Sequence, residues 1–279
     1  MAHLPLHEED TDLVPLLRSA DNDDLAILVE FIMKASTSEL GGVPDFKRLN
    51  SNSMQEPPVY DGDHKVYADD ISAEIQKFGG NTIVNFFRGG KGVPYTEVLR
   101  DVADKLGVNY NNSTDAATIE AQIQIKVLER AYEKMDDEQR KELLDAIGTD
   151  HKSGIPAALP VMAIQAAIRL GGFAAYQMAL IVANAVARQM LGHGLRLAAN
   201  AGITRVMGML AGPIGWAITI LWTLLDIAGP AYRVTIPCVL QVAYMRQKTL
   251  ISTCPVEECR AVNPKSAKFC QSCGHKLAR

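Results

Sequence analysis

Four of the five cysteines in this 279-residue chain fall within its last 26 residues, at Cys254, Cys259, Cys270 and Cys273. Their spacing is C-x4-C-x10-C-x2-C. Zinc prefers four tetrahedral ligands, and thiolate is among its strongest. The first pair lies at the wide end of the usual two-to-four-residue gap. The second, Cys270-Gln271-Ser272-Cys273 followed by Gly274, is a regular knuckle. Glycine there permits the left-handed turn that aims backbone N–H groups at sulfur. The expected object is a zinc ribbon over residues 254–279 holding one structural zinc. So short a segment builds no core of its own, so the metal must supply the folding energy, on the order of 10–16 kcal/mol. Four thiolates fill the coordination sphere and leave no open position for a reacting water. His275 adjoins the last ligand but is not needed while four thiols are present.

The remaining chemistry-bearing residues make no reactive set. The chain has six histidines, none in a metal or triad pattern with serine, cysteine or carboxylate. His193 lies between glycines in LGHGL (191–195). It reads first as a turn residue bonded to backbone, and second as a pH-sensitive group. Arg88–Gly92 (RGGKG) lacks the glycine spacing, the Lys-Ser/Thr pair and the preceding strand of a phosphate loop. Asp136, Asp137 and Glu138 read as a helix start or as its solvated face. Cys238 sits among apolar residues with no basic partner, so it reads as packing. No reaction can be named, and the expectation is a non-enzyme.

The elements that would carry these groups read as helices. Leu13, Leu16 and Leu17 share one face, and Asp21 or Asn22 can cap a helix through Leu25, Leu28, Val29, Phe31 and Ile32. A loop follows over residues 49–62. A helix is predicted from about Asp69 to Phe78, ended by Gly79-Gly80, and another through Ile83, Val84, Phe86 and Phe87. Pro94 opens the next, with Val98, Leu99, Val102 and Leu106 inward. Thr118 to Ile147 gives a long helix or a helical pair. In the final helix Pro237 fits the start, and Arg246 and Lys248 suit the end.

Charge divides the chain sharply. Residues 1–150 carry 29 acids against 15 Lys/Arg, while residues 151–253 carry 8 Lys/Arg and a single acid, Asp226. Residues 170–187 and 206–225 contain no charge at all. A helix of twenty residues spans roughly 30 Å, the thickness of a bilayer core. The second run is broken by Gly212-Pro213-Ile214-Gly215, and proline inside a helix costs about 3 kcal/mol. Two outcomes fit: a Gly/Ala-rich hairpin buried as core, or one that enters or lies in a membrane, with Trp216 and Trp222 at an interface. A lone buried carboxylate needs a partner, so Asp226 is expected to meet an arginine, Arg233 first and Arg205 second.

FGGNTIVNFFRG (78–89), YTEVLRDVADKLGV (95–108), YEKMDDEQRKELLDAIG (132–148), LGHGL (191–195) and GPAYRVTIPCVLQVAYMRQ (229–247) resemble the YaaW-type family of bacterial proteins. The resemblance covers about residues 10–250. It implies a grouping near ubiquinol–cytochrome c chaperone-like proteins, an assembly or interaction role, and no catalytic residues. The zinc ribbon departs from the shorter members and reads as an appended module.

The fold class expected is all-α. It comprises an acidic helical domain (1–150), a linker (151–156), an apolar basic helical region (157–250) and the zinc ribbon (254–279). The leading functional expectation is a membrane-associated helical protein, a membrane-active effector or stress component. The alternative is a soluble chaperone-like assembly factor with a structural zinc tail. The partners expected are a membrane, through the apolar basic region, and a protein, through the acidic domain. Nucleic acid is disfavoured, because the tail's basic excess is modest and Phe269 is its sole aromatic. His3, His7, Glu8, Glu9 and Asp10 occupy the place of a signal peptide, so a cytoplasmic location is expected, at the inner membrane if the hairpin meets lipid.

Overall fold

The computed structural model describes residues 10–38, 63–79, 92–146, 172–196 and 231–277. Among them are eight α-helices: α1 (Val14–Ser19), α2 (Asn22–Ser38), α3 (Ala68–Gly79), α4 (Tyr95–Leu106), α5 (Ala116–Lys134), α6 (Asp137–Ala146), α7 (Gly172–Leu191) and α8 (Tyr232–Lys248). A one-turn 3-10 helix, His64–Tyr67, precedes α3, and two short strands, β1 (Ile251–Thr253) and β2 (Val262–Pro264), follow α8. The mostly helical fold class read from the sequence is the one observed.

The chain forms two compact units, one of Met1–Glu120 with Leu224–Val242, the other of Ala121–Thr223 with Ala243–Arg279. In the first unit α3 is the central element, packed against α1, α2 and α4. Ala68 and the unbroken stretch Asp70–Gln76 are buried; Ile71 and Ile75 are fully enclosed, as are Leu13, Leu17, Leu25, Leu28, Ile32 and Leu99. Each fully buried Leu or Ile contributes roughly 1.5–3 kcal/mol, so this cluster dominates the unit's stability. Helix α4 carries the predicted inward set: Val98, Leu99, Val102 and Leu106 are all fully buried. Pro94 is its N-cap.

Polar groups tie these helices at their ends. The Asp10 carboxylate accepts N–H bonds from Asp12 (3.1 Å) and Leu13 (2.9 Å) through one oxygen. Its other oxygen accepts from the Gln76 side chain (2.7 Å) and the Tyr95 backbone (3.0 Å). One carboxylate thereby joins the start of α1, the buried face of α3 and the first residue of α4. Arg18 forms a two-pronged pair with Asp69, at 2.7 and 2.8 Å, linking α1 to α3. The Tyr95 hydroxyl donates to Glu120 at 3.0 Å in a buried setting.

In the second unit α5 continues into α6 through a tight corner. The Gln139 N–H bonds the Asp136 side chain at 2.9 Å, and the Gln139 side chain accepts the Asp136 N–H at 3.1 Å. This reciprocal arrangement is a capping box with Asp at the cap and Gln three residues on. Of the two alternatives for this stretch the helical pair is observed, Ala116–Lys134 and then Asp137–Ala146.

Helix α7 corrects the leading expectation for the apolar region. It carries residues 172–187 of the first charge-free run, and Met178 to Ala187 are buried without a gap. Tyr176 stacks at a tilt on Tyr244, with ring centroids 6.0 Å apart. The first of the two runs read as lipid-facing is therefore interior. No helix among the described residues is long and apolar enough to cross a membrane. Gln177, Asn184, Arg188 and Gln189 interrupt α7's apolar sequence, which is the physical reason it falls short. The second run, with Trp216 and Trp222, lies outside the described residues, as do the 151–156 linker, residues 88–91 of RGGKG and the helix predicted through Phe86.

Helix α8 corrects a smaller point. Pro237 lies inside it rather than at its start, because the helix begins at Tyr232. Pro237 supplies no N–H to the Arg233 carbonyl one turn back, a cost the helix carries near its start. Val239, Leu240, Val242, Ala243 and Met245 are buried.

Candidate metal centre

The tail begins as a two-stranded antiparallel hairpin in which Ile251 pairs with Pro264, Ser252 with Asn263 and Thr253 with Val262. The hairpin lies against α7. Cys254 directly follows β1, and its N–H bonds the Ala261 carbonyl at 2.8 Å, so the first knuckle closes where the strands end. The second knuckle is framed by a bridge between Phe269 and Lys276, with Cys270 N–H to His275 carbonyl at 2.7 Å.

All four predicted cysteine sulfurs lie within 4.8 Å of one another. Cys254 and Cys273 are 3.6 Å apart, and Cys259 and Cys270 3.7 Å. Ligands about 2.3 Å from a tetrahedral zinc would sit about 3.8 Å from each other. The cysteines are thus spaced for a four-coordinate ion of that size. Both crosswise pairs join one knuckle to the other, so an ion held here clamps the two ends of the ribbon.

The backbone is shaped around the sulfurs. The N–H groups of Cys273 and Ser272 reach the Cys270 sulfur, as does the Asn263 side chain at 3.5 Å. These donors, led by Cys273 N–H, hold the Cys270 thiol down to about 6. Cys254 is fully enclosed, and burial pushes its thiol up to about 12. Within one cluster the electrostatics thus favour the anion at Cys270 and penalise it at Cys254. A cation at the centre would remove that penalty. Gly274 adopts the left-handed conformation at φ +75 that the knuckle requires. Arg260 occupies the matching place after Cys259 at φ +45, strained for a residue with a side chain. Around the sulfurs the packed apolar groups are few: Leu277, with Val256, Ala261 and Ala267 partly buried.

The other residues singled out from sequence are not drawn into this centre. His275 is exposed beside it. Cys238 is fully buried in α8, and burial pushes its thiol far up. His193 is exposed, with Nδ1 3.0 Å from the Gly194 carbonyl oxygen. The turn it occupies folds back on α7: the Leu195 N–H donates to buried Asn184 Oδ1 at 3.0 Å. Gly194 touches that same oxygen so closely that no Cβ fits. Arg233 stands in the second residue of α8, half-buried, while its predicted partner Asp226 lies outside the described residues. Sequence reasoning missed Asn263 and Asn184. In each case the available signal was an asparagine within an apolar or cysteine-flanked stretch, where a buried amide must be spent on backbone groups.

Comparison with known proteins places the body of the chain. Residues 63–240 match a family model described as ubiquinol-cytochrome C chaperone. A UPF0174 protein of Helicobacter pylori is 42% identical over 245 residues, covering 87% of this chain and 93% of that relative. The chain belongs to the ubiquinol-cytochrome C chaperone family, with the UPF0174 proteins. A second Helicobacter pylori UPF0174 protein is 38% identical over 70% of this chain and 95% of its own length. The UPF0174 protein YaaW of Escherichia coli is 32% identical over 63% of this chain and 70% of its own length. No solved structure matches. The family match ends at residue 240, before the first of the four clustered cysteines, so the metal centre stands apart from what defines the family.

Proposed function

We propose that this chain is a non-enzymatic, chaperone-like assembly or interaction factor whose helical body binds polypeptide and whose tail holds a structural zinc. The observation that carries the reading is the family match across residues 63–240, which spans α3 to α8. The polar cluster that joins this span to the start of α1 supports it. Asp10, Gln76, Tyr95 and Glu120 are engaged with one another and with backbone, in arrangements that fasten helices. Cys254, Cys259, Cys270 and Cys273 are assigned as the zinc ligands; four thiolates saturate the ion, which favours a structural role over catalysis. Free thiols suit a reducing compartment, so we place the chain in the cytoplasm.

The test is to mix the full chain with an unfolded model polypeptide and follow light scattering as that polypeptide aggregates. Suppression at near-stoichiometric amounts, with an isolable complex, is the expected result. Unchanged aggregation and no complex, with either that probe or unassembled cytochrome-complex subunits, would overturn the chaperone-like reading.

A further inference from the structure

Of the four clustered cysteines Cys273 is exposed and Cys254 is fully buried, yet their sulfurs are 3.6 Å apart. A disulfide needs about 2.05 Å, so a displacement of roughly 1.6 Å separates contact from covalent bond. Cys254 is sealed from solvent, whereas Cys273 is the exposed member of the four and the one an oxidant from solvent reaches first. The ribbon encloses too little apolar surface to stand without its central ion. A chemical event at Cys273 therefore bears on the fold of the whole tail, and the hairpin β1–β2 that leads into it rests on α7.

We propose that the four-cysteine centre is also a modification site, at which a peroxide joins Cys273 to Cys254 and frees the bound ion. This rests on the metal-holding reading above. The Cys273 thiolate attacks one oxygen of hydrogen peroxide; the O–O bond breaks, and the departing hydroxide takes a proton to become water. Cys273 is now a sulfenic acid. The Cys254 thiolate attacks that sulfur; the S–O bond breaks, and the second hydroxide takes a proton to become a second water. Two electrons pass from two thiolates to one peroxide. Cys259 and Cys270 alone remain as ligands, too few to retain a dication against competing chelators.

The fifth cysteine supplies the internal control. Cys238 is sealed in α8 and does not take part. The experiment uses the full chain loaded with zinc, cleared of free metal and treated with one equivalent of hydrogen peroxide beside a chromogenic chelator. Release of close to one zinc per chain is expected, with peptide mapping showing Cys254 linked to Cys273. Thiol reductant plus zinc should reverse both. C238S, which keeps all four ligands, should release zinc like the parent. Zinc retained under excess peroxide, release with Cys273 overoxidised and unlinked, or a Cys270–Cys273 bond instead would each overturn the proposal. A chain that binds no zinc at all would overturn the metal reading itself, whereas one that binds zinc and keeps it under peroxide would fail this inference alone.

Discussion

Asn263 donates its amide to the Cys270 sulfur at 3.5 Å while its carbonyl oxygen accepts the Gln271 N–H at 2.8 Å. It is fully buried and also donates to the Ala261 carbonyl at 2.8 Å. One side chain thus links the strand β2, the first knuckle's exit and the second knuckle's lead cysteine. Groups that orient a metal ligand in this way carry about 10- to 100-fold in affinity. N263A is therefore expected to bind zinc about 10- to 100-fold more weakly, measured by competition with a chelator of known affinity. Helical circular dichroism should not change. Equal affinity in the variant would remove Asn263 from the account.

Gly194 and Asn184 form a second such contact. A methyl group at position 194 would fall on Asn184 Oδ1 and displace the Leu195 N–H from it. A buried donor left unpaired costs about 1–3 kcal/mol. G194A should lose about that much stability in urea unfolding, and adding N184A should not double the loss, because both changes act on one contact.

Asp10 gathers four N–H groups from three segments of the first unit. D10A strands all four. A loss of about 2–3 kcal/mol is expected, visible as a lower thermal midpoint. By comparison R18A, which breaks only the exposed pair with Asp69, should leave the thermal midpoint close to the parent's, despite that pair's two short bonds.

Asp115 caps α5: its oxygens accept the Thr118 N–H at 2.9 Å and the Thr118 hydroxyl at 2.8 Å. The Thr118 backbone bond, then its hydroxyl, lower the Asp115 carboxyl below its ordinary value of 3.8. A depressed folded value means the cap's stabilisation is whole above that ordinary value and is lost as pH falls through the folded one. D115A should cost about 1 kcal/mol at neutral pH, and the difference from the parent should shrink below pH 3.8. A difference that grows on acidification would contradict the sign.

Much of this was readable in the chain, for specific reasons. Val98, Leu99, Val102 and Leu106 recur at helical spacing, and an acid-rich remainder leaves that face only one place to go. The cysteine spacing marks the tail because few residue patterns tolerate four thiols so close. What was misread at α7 was direction of burial: an apolar, acid-poor helix satisfies both a bilayer and a protein interior. Period and composition do not separate the two. The turn at Gly194 folds back onto Asn184 of the preceding helix, which helical period does not encode, and Tyr176 meets Tyr244, a residue far off in sequence. Asp10's role escaped for the same reason, its partners being 66 and 85 residues away. Pro237 misled locally, since proline is tolerated near a helix start as well as at its first residue.

Native mass spectrometry of the intact, freshly purified chain tests the tail-and-body account most directly. The account predicts one zinc per chain. Chelation should remove it and abolish hydrogen-exchange protection in β1, β2 and the two knuckles, while α3 and α4 keep theirs. A metal-free chain whose tail is equally protected before and after chelation would contradict it.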